Sequence, residues 1–303
     1  MGALVSATMR DQNKAYLYAI ATVLLWSTVA TAFKITLRYL DPLQLLLYAC
    51  LASVCTLALI IVIQGKGSLI FSYSGKQYLK SLLLGLLNPC LYYMILFKAY
   101  DLLPAQEAQP LNYTWAITLS LLSIPLLRQR VRPQEILAGF VCYSGVLVIS
   151  TRGNLLDFRL SDPLGVTLAL ASTIAWALYW IYNTRDDRDA VVGLFLNFTF
   201  ALPFVFILCA FFSDIRIADL YGLAGAAYVG VVEMGIAFVF WLVALRLSET
   251  AARVANLIFI SPFVSLVFIH FLVGEAILPS TVIGLVLIVG GLLVQRLGKR
   301  STQ

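Results

Sequence analysis

Long apolar stretches separated by short polar connections recur along the whole chain of 303 residues. A helix needs about 20 apolar residues to cross the hydrocarbon core of a bilayer, which is about 30 Å thick. The pattern therefore predicts an all-α polytopic membrane protein with ten transmembrane helices and no soluble domain. The predicted spans are 15–38, 42–63, 77–99, 103–127, 133–151, 161–183, 190–212, 218–246, 249–272 and 279–297.

The second half of the chain repeats the span pattern of the first. Five spans per half is an odd number, so the halves must lie in the membrane with opposite orientation, as inverted five-helix repeats over 1–152 and 153–303. Such repeats are typical of secondary transporters, whose substrate site lies at the midplane between them. Matching prolines and glycines mark the fifth and tenth spans: Pro133, Gly139 and Gly145 in one, Pro279, Gly284 and Gly290 in the other.

Composition and charge agree with a membrane protein and indicate its orientation. The chain is 61% hydrophobic and 12% charged, with a mean hydropathy of +0.92 and a net charge of +6. Lys and Arg crowd the loops on the side of the N-terminus, which predicts that both termini are cytoplasmic. The basic excess is thus a topology signal, and no nucleic-acid partner is expected. The opposite side carries only Arg38, Lys98, Arg152, Arg159 and Arg216.

Motifs of enzymes and pumps are missing from the sequence. There is no HExxH, no GxSxG and no Walker A glycine loop. An intramembrane enzyme, a directly ATP-driven pump and a scaffold are therefore disfavoured, and we expect no cofactor and no metal. All five cysteines lie inside spans without a CxxC pair, which fits packing roles. The expected partners are a small-molecule substrate and the lipid bilayer, while the oligomeric state stays open.

Three predicted spans contain an asparagine followed within six residues by a proline. Proline removes a backbone donor and can kink a helix, either as a packing feature or as a hinge beside a cavity. A buried asparagine either bonds helix to helix or binds the ammonium or carboxylate of a zwitterion. The asparagines are Asn88, Asn197 and Asn256, and Tyr92 shares the helix face of Asn88 at i, i+4.

Two carboxylates lie inside predicted spans, where lipid does not solvate charge. Glu233 is near the middle of the eighth span and is costly there unless paired, protonated or facing water. Glu107 lies about one turn into the fourth span. Each is a candidate for ammonium binding or proton coupling, with packing as the alternative. Lys34, late in the first span, either snorkels outward or pairs with Glu107.

Aromatic residues lie unusually deep in the spans. Tryptophan and tyrosine normally collect at the two membrane interfaces, whereas every tryptophan of this chain lies further inside, as do several tyrosines. Helix packing explains any one of them, but together they favour a wide cavity that stacks a planar side chain or holds a cation. These residues are Trp26, Trp115, Trp176, Trp180, Trp241, Tyr92, Tyr93 and Tyr113.

Motifs in several spans resemble the drug/metabolite transporter superfamily in its ten-span EamA form, and within it the YddG branch of aromatic amino acid exporters. Leu25-Trp26-Ser27-Thr28 is similar to that branch's L-W-S-T, Glu107-x4-Asn112-Tyr113-x-Trp115 to E-x4-N-Y-x-W, and Trp176-x-x-Tyr179 to W-x-x-Y. Pro262 matches a family proline, and Trp241 falls within one position of a family tryptophan. Ala116 departs from the proline that relatives often have there, which shifts the expected kink to Pro110.

The resemblance implies a basket of helices around a central cavity, with the fifth and tenth spans peripheral, in the bacterial inner membrane. It also implies a secondary transporter that exports small metabolites, most specifically amino acids including aromatic ones. An exporter of cationic drugs acting through Glu233 stays open, as do other metabolites. Sugar phosphates would need a more basic cavity than Lys34 and Arg253 provide. The predicted substrate-binding residues are Trp26, Asn88, Tyr92, Glu107, Asn112, Tyr113, Trp115, Trp176, Tyr179, Asn197, Glu233 and Asn256.

Overall fold

The computed structural model describes residues 11–127, 133–156, 160–183, 186–216, 219–248 and 256–297, and the regular structure in these ranges is helical throughout. Short 3₁₀ turns cover Gly67–Phe71 and Asn256–Ile260. The helices are α1 Gln12–Thr36, α2 Pro42–Ile63, α3 Gly75–Gly85, α4 Tyr92–Leu102, α5 Ala105–Tyr113, α6 Trp115–Leu127, α7 Pro133–Ser150, α8 Pro163–Asn183, α9 Ala190–Phe212, α10 Leu220–Tyr228, α11 Phe238–Leu247, α12 Ser261–Phe268 and α13 Pro279–Leu297.

Six helical stretches of the described chain are long and apolar enough to cross a membrane, and three shorter apolar helices accompany them. The fold is therefore that of a polytopic helical membrane protein, and the count of ten spans stays a prediction. The fourth predicted span is broken at Thr114 into α5 and α6, and residues 249–255 of the ninth lie outside the described ranges. The six stretches are Gln12–Thr36, Pro42–Ile63, Gly75–Leu102, Pro163–Asn183, Ala190–Phe212 and Leu220–Ala244.

Polar residues immediately before several helices explain where these helices begin. The side chains of Asp11, Asp189 and Asp219 accept hydrogen bonds from backbone N–H groups in the first turns of α1, α9 and α10. Asp41 does the same for α2, and it forms a capping box with Gln44. Such caps satisfy donors that have no partner inside the helix. A polar cap next to a long apolar run thus fixes each start locally.

Two of the long stretches are interrupted, one by a kink and the other by a wide π-helical turn. Leu86–Leu91 separates α3 from α4 and contains Asn88, whose backbone leaves the helical region at φ −149° and ψ 114° ahead of Pro89. Val229–Ala237 separates α10 from α11 and contains Glu233. Single π-helical turns often occur at functional sites. Both interruptions here carry a buried polar residue of the predicted site.

Helices α7 and α13 pack along each other, and glycines let them approach closely. A methyl group added at Gly145 would come within 2.5 Å of the carbonyl oxygen of Gly284, and one added at Gly284 within 2.6 Å of the oxygen of Gly145. Gly139 and Gly290, the other members of the repeated pattern, face open space. Of the two glycines predicted in each helix, only Gly145 of α7 and Gly284 of α13 therefore lie at this contact.

At one end of the bundle, hydrogen bonds join connections that are far apart in the chain. Arg38 Nη2 donates to the carbonyl oxygen of Val273 over 2.7 Å. The carboxylate of Glu275 accepts hydrogen bonds from the backbone N–H groups of Ala105, at 2.8 Å, and Gln106, at 3.1 Å. Glu275 therefore caps the start of α5 from the loop ahead of α13, and this ties together the ends of α1, α4 and α12.

The opposite end is closed by a cluster of ion pairs. Arg188 Nη2 lies 2.6 Å from Asp186 Oδ2, and its Nη1 donates to Ser81 Oγ over 2.6 Å, which links the loop before α9 to α3. Lys66 Nζ reaches Asp189 Oδ2 over 2.8 Å. Burial acts to raise the pKa of Asp186, but hydrogen bonds from Arg188 outweigh burial and hold this pKa below its ordinary value. Asp186 is therefore ionised at neutral pH.

Candidate functional site

A cavity that is partly open to solvent lies between α1, α4, α5, α6, α8, α11 and the two turns that carry Glu233 and Ile258, and its empty space, including the open part, is about 620 Å³. All five tryptophans of the chain line it, and they come from four helices, α1, α6, α8 and α11. The polar side chains on its wall are Gln109, Asn112 and Glu233. The aromatic side chains on its wall are Trp26, Phe33, Tyr92, Tyr100, Tyr113, Trp115, Trp176, Trp180 and Trp241.

The aromatic wall consists of rings in mutual contact. Tyr92 and Trp176 are stacked, with ring centroids 4.5 Å apart and planes inclined by 30°. Trp180 meets Trp176 edge to face at 5.8 Å, and Trp26 lies 5.4 Å from Trp241. Offset stacks and edge-to-face pairs are the favoured arrangements of aromatic rings. The contacts hold the rings in place, so the wall presents preformed apolar faces to a planar guest.

Hydrogen bonds fix the polar groups contributed by α5. Asn112 Nδ2 donates to Ser172 Oγ of α8 over 2.9 Å, and its Oδ1 accepts a long bond of 3.5 Å from the hydroxyl of Tyr92. The hydroxyl of Tyr113 donates to Ser261 Oγ of α12 over 2.9 Å. These bonds join α4, α5, α8 and α12 around the cavity.

Glu233 is the only carboxylate among the described residues of the cavity wall. It is 8% exposed, and its Oε1 accepts a hydrogen bond from the hydroxyl of Tyr93 over 3.0 Å. Its Oε2 is buried and has no hydrogen-bond partner within the described chain. Buried polar atoms nearly always have a partner. One oxygen of Glu233 is therefore held by the protein, and the other has no partner among the described residues.

Two donors on the same wall are also without partners. The indole Nε1 atoms of Trp26 and Trp180 are buried and make no hydrogen bond to any described residue. Both side chains line the cavity. An indole N–H is a donor only, whereas the free oxygen of Glu233 is an acceptor. The cavity thus combines a carboxyl group that has one unpartnered oxygen with neutral donors in an apolar setting.

Three predicted site residues form a separate buried group beside the cavity. Asn88 and Asn197 are fully buried, and their amides make no hydrogen bond of ordinary geometry to described residues, although both approach the hydroxyl of Tyr179. The ring of Tyr179 lies 6.1 Å from that of Trp176, which links this group to the cavity wall. None of the three is part of the wall itself.

The structure places Glu107 outside the cavity. Its carboxylate is fully buried, and it accepts hydrogen bonds from Arg152 Nε over 2.9 Å and from Ser161 Oγ over 2.5 Å. Lys34 does not pair with it, because its ammonium donates to the carbonyl oxygen of Tyr100 over 2.7 Å. Glu107 therefore joins α5 to the connection between α7 and α8. The side chain of Asn256 lies outside the described residues.

Of the twelve predicted site residues, the structure brings seven together on the cavity wall. The wall also contains Trp180 and Trp241, which the sequence marks as deep tryptophans, and Phe33 and Tyr100, which it does not mark. The sequence could have placed Trp180 in the site, because it lies four residues after Trp176 and therefore on the same helix face. The seven predicted residues on the wall are Trp26, Tyr92, Asn112, Tyr113, Trp115, Trp176 and Glu233.

Among the described residues, no group of His, Cys, Asp and Glu could hold a metal ion.

Comparison with known proteins gives a family match over nearly the whole chain. The model of the EamA-like transporter family matches twice, at residues 13–151 and 163–296. A protein named "Uncharacterized transporter" from Archaeoglobus fulgidus is 25% identical, over 92% of this chain and 96% of its own length. A Pseudomonas aeruginosa protein, named only as uncharacterized, is 30% identical over 62% of this chain and 65% of its own.

One solved structure resembles the described fold over almost its full extent. Its TM-score is 0.68 at 22% sequence identity, and the match covers 97% of this chain and all of the other. At this level of identity the likeness concerns the fold alone. The chemistry of the cavity therefore has to be argued from this chain's own residues.

Proposed function

The chain belongs to the EamA-like transporter family, and we propose that it exports small metabolites, above all amino acids including aromatic ones, by alternating access through the aromatic cavity. Family membership and the relatives named as transporters make the protein a membrane transporter and not an enzyme. The direction of transport and the substrate class are the parts we add.

The observation that carries the proposal is the composition of the cavity wall. Nine aromatic side chains, one carboxylate with a free oxygen and two free indole N–H groups face one space of about 620 Å³. Ligand sites are mostly apolar, with a few polar groups that fix orientation. An aromatic amino acid has a planar side chain, an ammonium and a carboxylate, and each of these finds a matching group on this wall.

The resemblance to the YddG branch supports the same choice of substrate. Five of its motif residues, Trp26, Asn112, Tyr113, Trp115 and Trp176, come from four helices and lie on the cavity wall, whereas Glu107 and Tyr179 of the same motifs do not. Residues that share a motif but lie on separate helices meet in this cavity only through the tertiary fold. We therefore take the resemblance as support for aromatic amino acids as substrates.

Several features support inverted repeats as the basis of alternating access. The two family matches, at 13–151 and 163–296, fall in the proposed halves 1–152 and 153–303. The third predicted span and the eighth, its counterpart, are each interrupted, by a kink within Leu86–Leu91 and by a wide π-helical turn at Val229–Ala237. Rocking of one repeat against the other around a fixed site is the usual mode of such transporters. We place the protein in the inner membrane with both termini cytoplasmic.

A second candidate function is export of cationic drugs. The free Oε2 of Glu233 beside stacked aromatic rings favours it, because a cation gains from both a carboxylate and the faces of tryptophan rings. A permanent organic cation needs no partner for a carboxylate of its own, so the free indole N–H groups would go unused. This favours amino acids over such cations.

Transport by the purified protein in proteoliposomes tests the proposal. We expect saturable counterflow of tryptophan, tyrosine or phenylalanine that empty liposomes do not show, measured with and without a proton gradient. Tetraphenylphosphonium serves as the cationic probe in the same assay. Transport of this cation together with no transport of any amino acid in the panel would replace the proposal by the second candidate.

A further inference from the structure

Building on the proposed function, we propose that Glu233 is the recognition group for the substrate's ammonium, and that the cavity therefore selects an aromatic amine and tolerates loss of the carboxylate. Aromatic amines without a carboxylate should bind, and aromatic carboxylic acids without an amine should not.

The geometry of Glu233 singles out one of its oxygens. The hydroxyl of Tyr93 donates to Oε1 over 3.0 Å and so orients the carboxylate, while Oε2 is buried without a partner in the described chain. The residue is 8% exposed and lies in the wide turn Val229–Ala237, where the helix departs from regular spacing. A carboxylate in such surroundings needs a positive partner to stay charged. A substrate ammonium is a partner of the right charge and size.

The rings next to Glu233 complete a site for a cation. Tyr93, which holds the carboxylate, contacts Tyr92 with ring centroids 4.7 Å apart, and Tyr92 is stacked on Trp176 at 4.5 Å. Tyr92 and Trp176 both line the cavity. The faces of tryptophan and tyrosine rings attract cations, and the attraction grows when water is excluded. The carboxylate and the ring faces therefore act on the same part of a guest.

The groups that could bind the substrate's carboxylate are weaker. They are the neutral N–H groups of Trp26 and Trp180, which lack partners. None of the described residues on the wall is Lys, Arg or His. Hydrogen bonds to a charged group are stronger when both partners are charged than when one is neutral. The ammonium should therefore contribute more to affinity than the carboxylate.

The decisive measurement compares three probes on the purified protein by calorimetry: tryptophan, tryptamine and indole-3-propionate. They share the indole ring, and the second lacks the carboxylate while the third lacks the amine. We expect tryptamine to bind at least as tightly as tryptophan and indole-3-propionate to bind about tenfold more weakly or worse, which is the effect of one hydrogen bond to a charged group.

Variants test which residues bind the ammonium and which bind the carboxylate. Glu233→Gln should weaken the binding of tryptamine and of tryptophan by about tenfold, and it should leave the binding of indole-3-propionate no weaker than before. Glu233→Asp should keep the preference for amines. If Glu233→Gln does not fold, Trp180→Phe gives an independent test, because it should weaken tryptophan several-fold and leave tryptamine unchanged.

The outcomes separate the two proposals. Suppose that tryptophan is bound and transported, but that Glu233→Gln leaves all three affinities unchanged. Glu233 is then not the ammonium-binding group, and the proposed function stands. The same conclusion follows if Trp180→Phe weakens the binding of tryptamine as much as that of tryptophan. Tighter binding of indole-3-propionate than of tryptamine by the unmodified protein would also overturn the assignment. If none of the three probes binds and no amino acid is transported, both proposals fail.

Discussion

Tyr113 and Trp115 show how a single break in a helix builds part of the cavity wall. Residues two apart on a continuous helix point in different directions, yet both side chains line the cavity. The helix is interrupted between them at Thr114, whose hydroxyl donates to the carbonyl oxygen of Leu111 over 2.8 Å. The break turns α6 relative to α5 and brings both rings to the same space.

Removing either ring should weaken transport without unfolding the protein. Trp115→Ala and Tyr113→Ala are each expected to lower substrate affinity several-fold, since an aromatic contact contributes roughly 0.5–1.5 kcal/mol beyond the area it buries. The measurement is the KM of amino acid transport together with the melting temperature in detergent.

Phe140→Ala is the matched control, because Phe140 is a large aromatic residue of α7 that is 74% exposed and absent from the cavity wall. It should leave KM unchanged. Normal transport by both Trp115→Ala and Tyr113→Ala would exclude these rings from the substrate site.

At the scale of helices, the contact between α7 and α13 depends on backbone approach and not on large side chains. Gly145 and Gly284 lie against each other's carbonyl oxygens, and the thiol of Cys142 lies 3.8 Å from the carbonyl oxygen of Ile288. Small residues let membrane helices pack closely where the hydrophobic effect gives no drive between them. Both helices take little part in the cavity, whose described wall contains no residue of either.

Two alanine substitutions in the same helix should therefore have opposite effects. Gly145→Ala places a methyl group 2.5 Å from a backbone oxygen and should lower the free energy of unfolding by about 1–3 kcal/mol, because backbone cannot yield as a side chain tip can. The methyl group of Gly139→Ala meets no atom within 4 Å. This variant should raise the free energy of unfolding by roughly 0.5–1 kcal/mol, because alanine has a lower backbone entropy than glycine in the unfolded chain.

Reversible unfolding in mixed detergent measures both variants. Equal stability of Gly145→Ala and Gly139→Ala would show that the two helices do not approach each other as described. Transport activity per folded molecule should be the same in both, since neither glycine contacts the cavity.

Across the whole molecule, the connections gather at two ends. The loops after α1, α4 and α12 are joined by Arg38 and Glu275 at one end, and Arg152 with Glu107 adds the loop after α7. Lys66 and Arg188 join the loops after α2 and α8 at the other end. Loops that the positive-inside pattern assigns to the same side of the membrane are thus joined at the same end of the molecule. The second end carries the excess of Lys and Arg, which predicts that it faces the cytoplasm.

Cysteine labelling in intact cells tests this orientation. In a Cys55→Ser background, which removes the one exposed native thiol among the described residues, Asp187→Cys should react only with membrane-permeant reagents, and Leu156→Cys should react with impermeant ones as well. Both positions are exposed, Leu156 fully. The reverse pattern would invert the predicted topology.

The sequence by itself determined much of what is local. The apolar runs and the polar caps ahead of them specify the helices, because an apolar segment must satisfy its own backbone hydrogen bonds in lipid and a cap stops it at a defined residue. Most predicted spans correspond closely to helices, from α2 at 42–63 to α9 at 190–212. The depth of the tryptophans likewise predicted an aromatic cavity, since such residues otherwise collect at the interfaces.

Only the tertiary structure decided which polar groups meet. Glu107 and Glu233 look alike in the sequence, each a lone carboxylate inside an apolar span. In the folded protein, Glu107 accepts hydrogen bonds from Arg152 and Ser161. Glu233 instead lines the cavity, and one of its oxygens has no partner among the described residues. Helical periodicity fixes the face on which a side chain lies, but the partner on that face comes from a helix far away in the chain. The role of a buried charge is therefore set by long-range packing and not by local sequence.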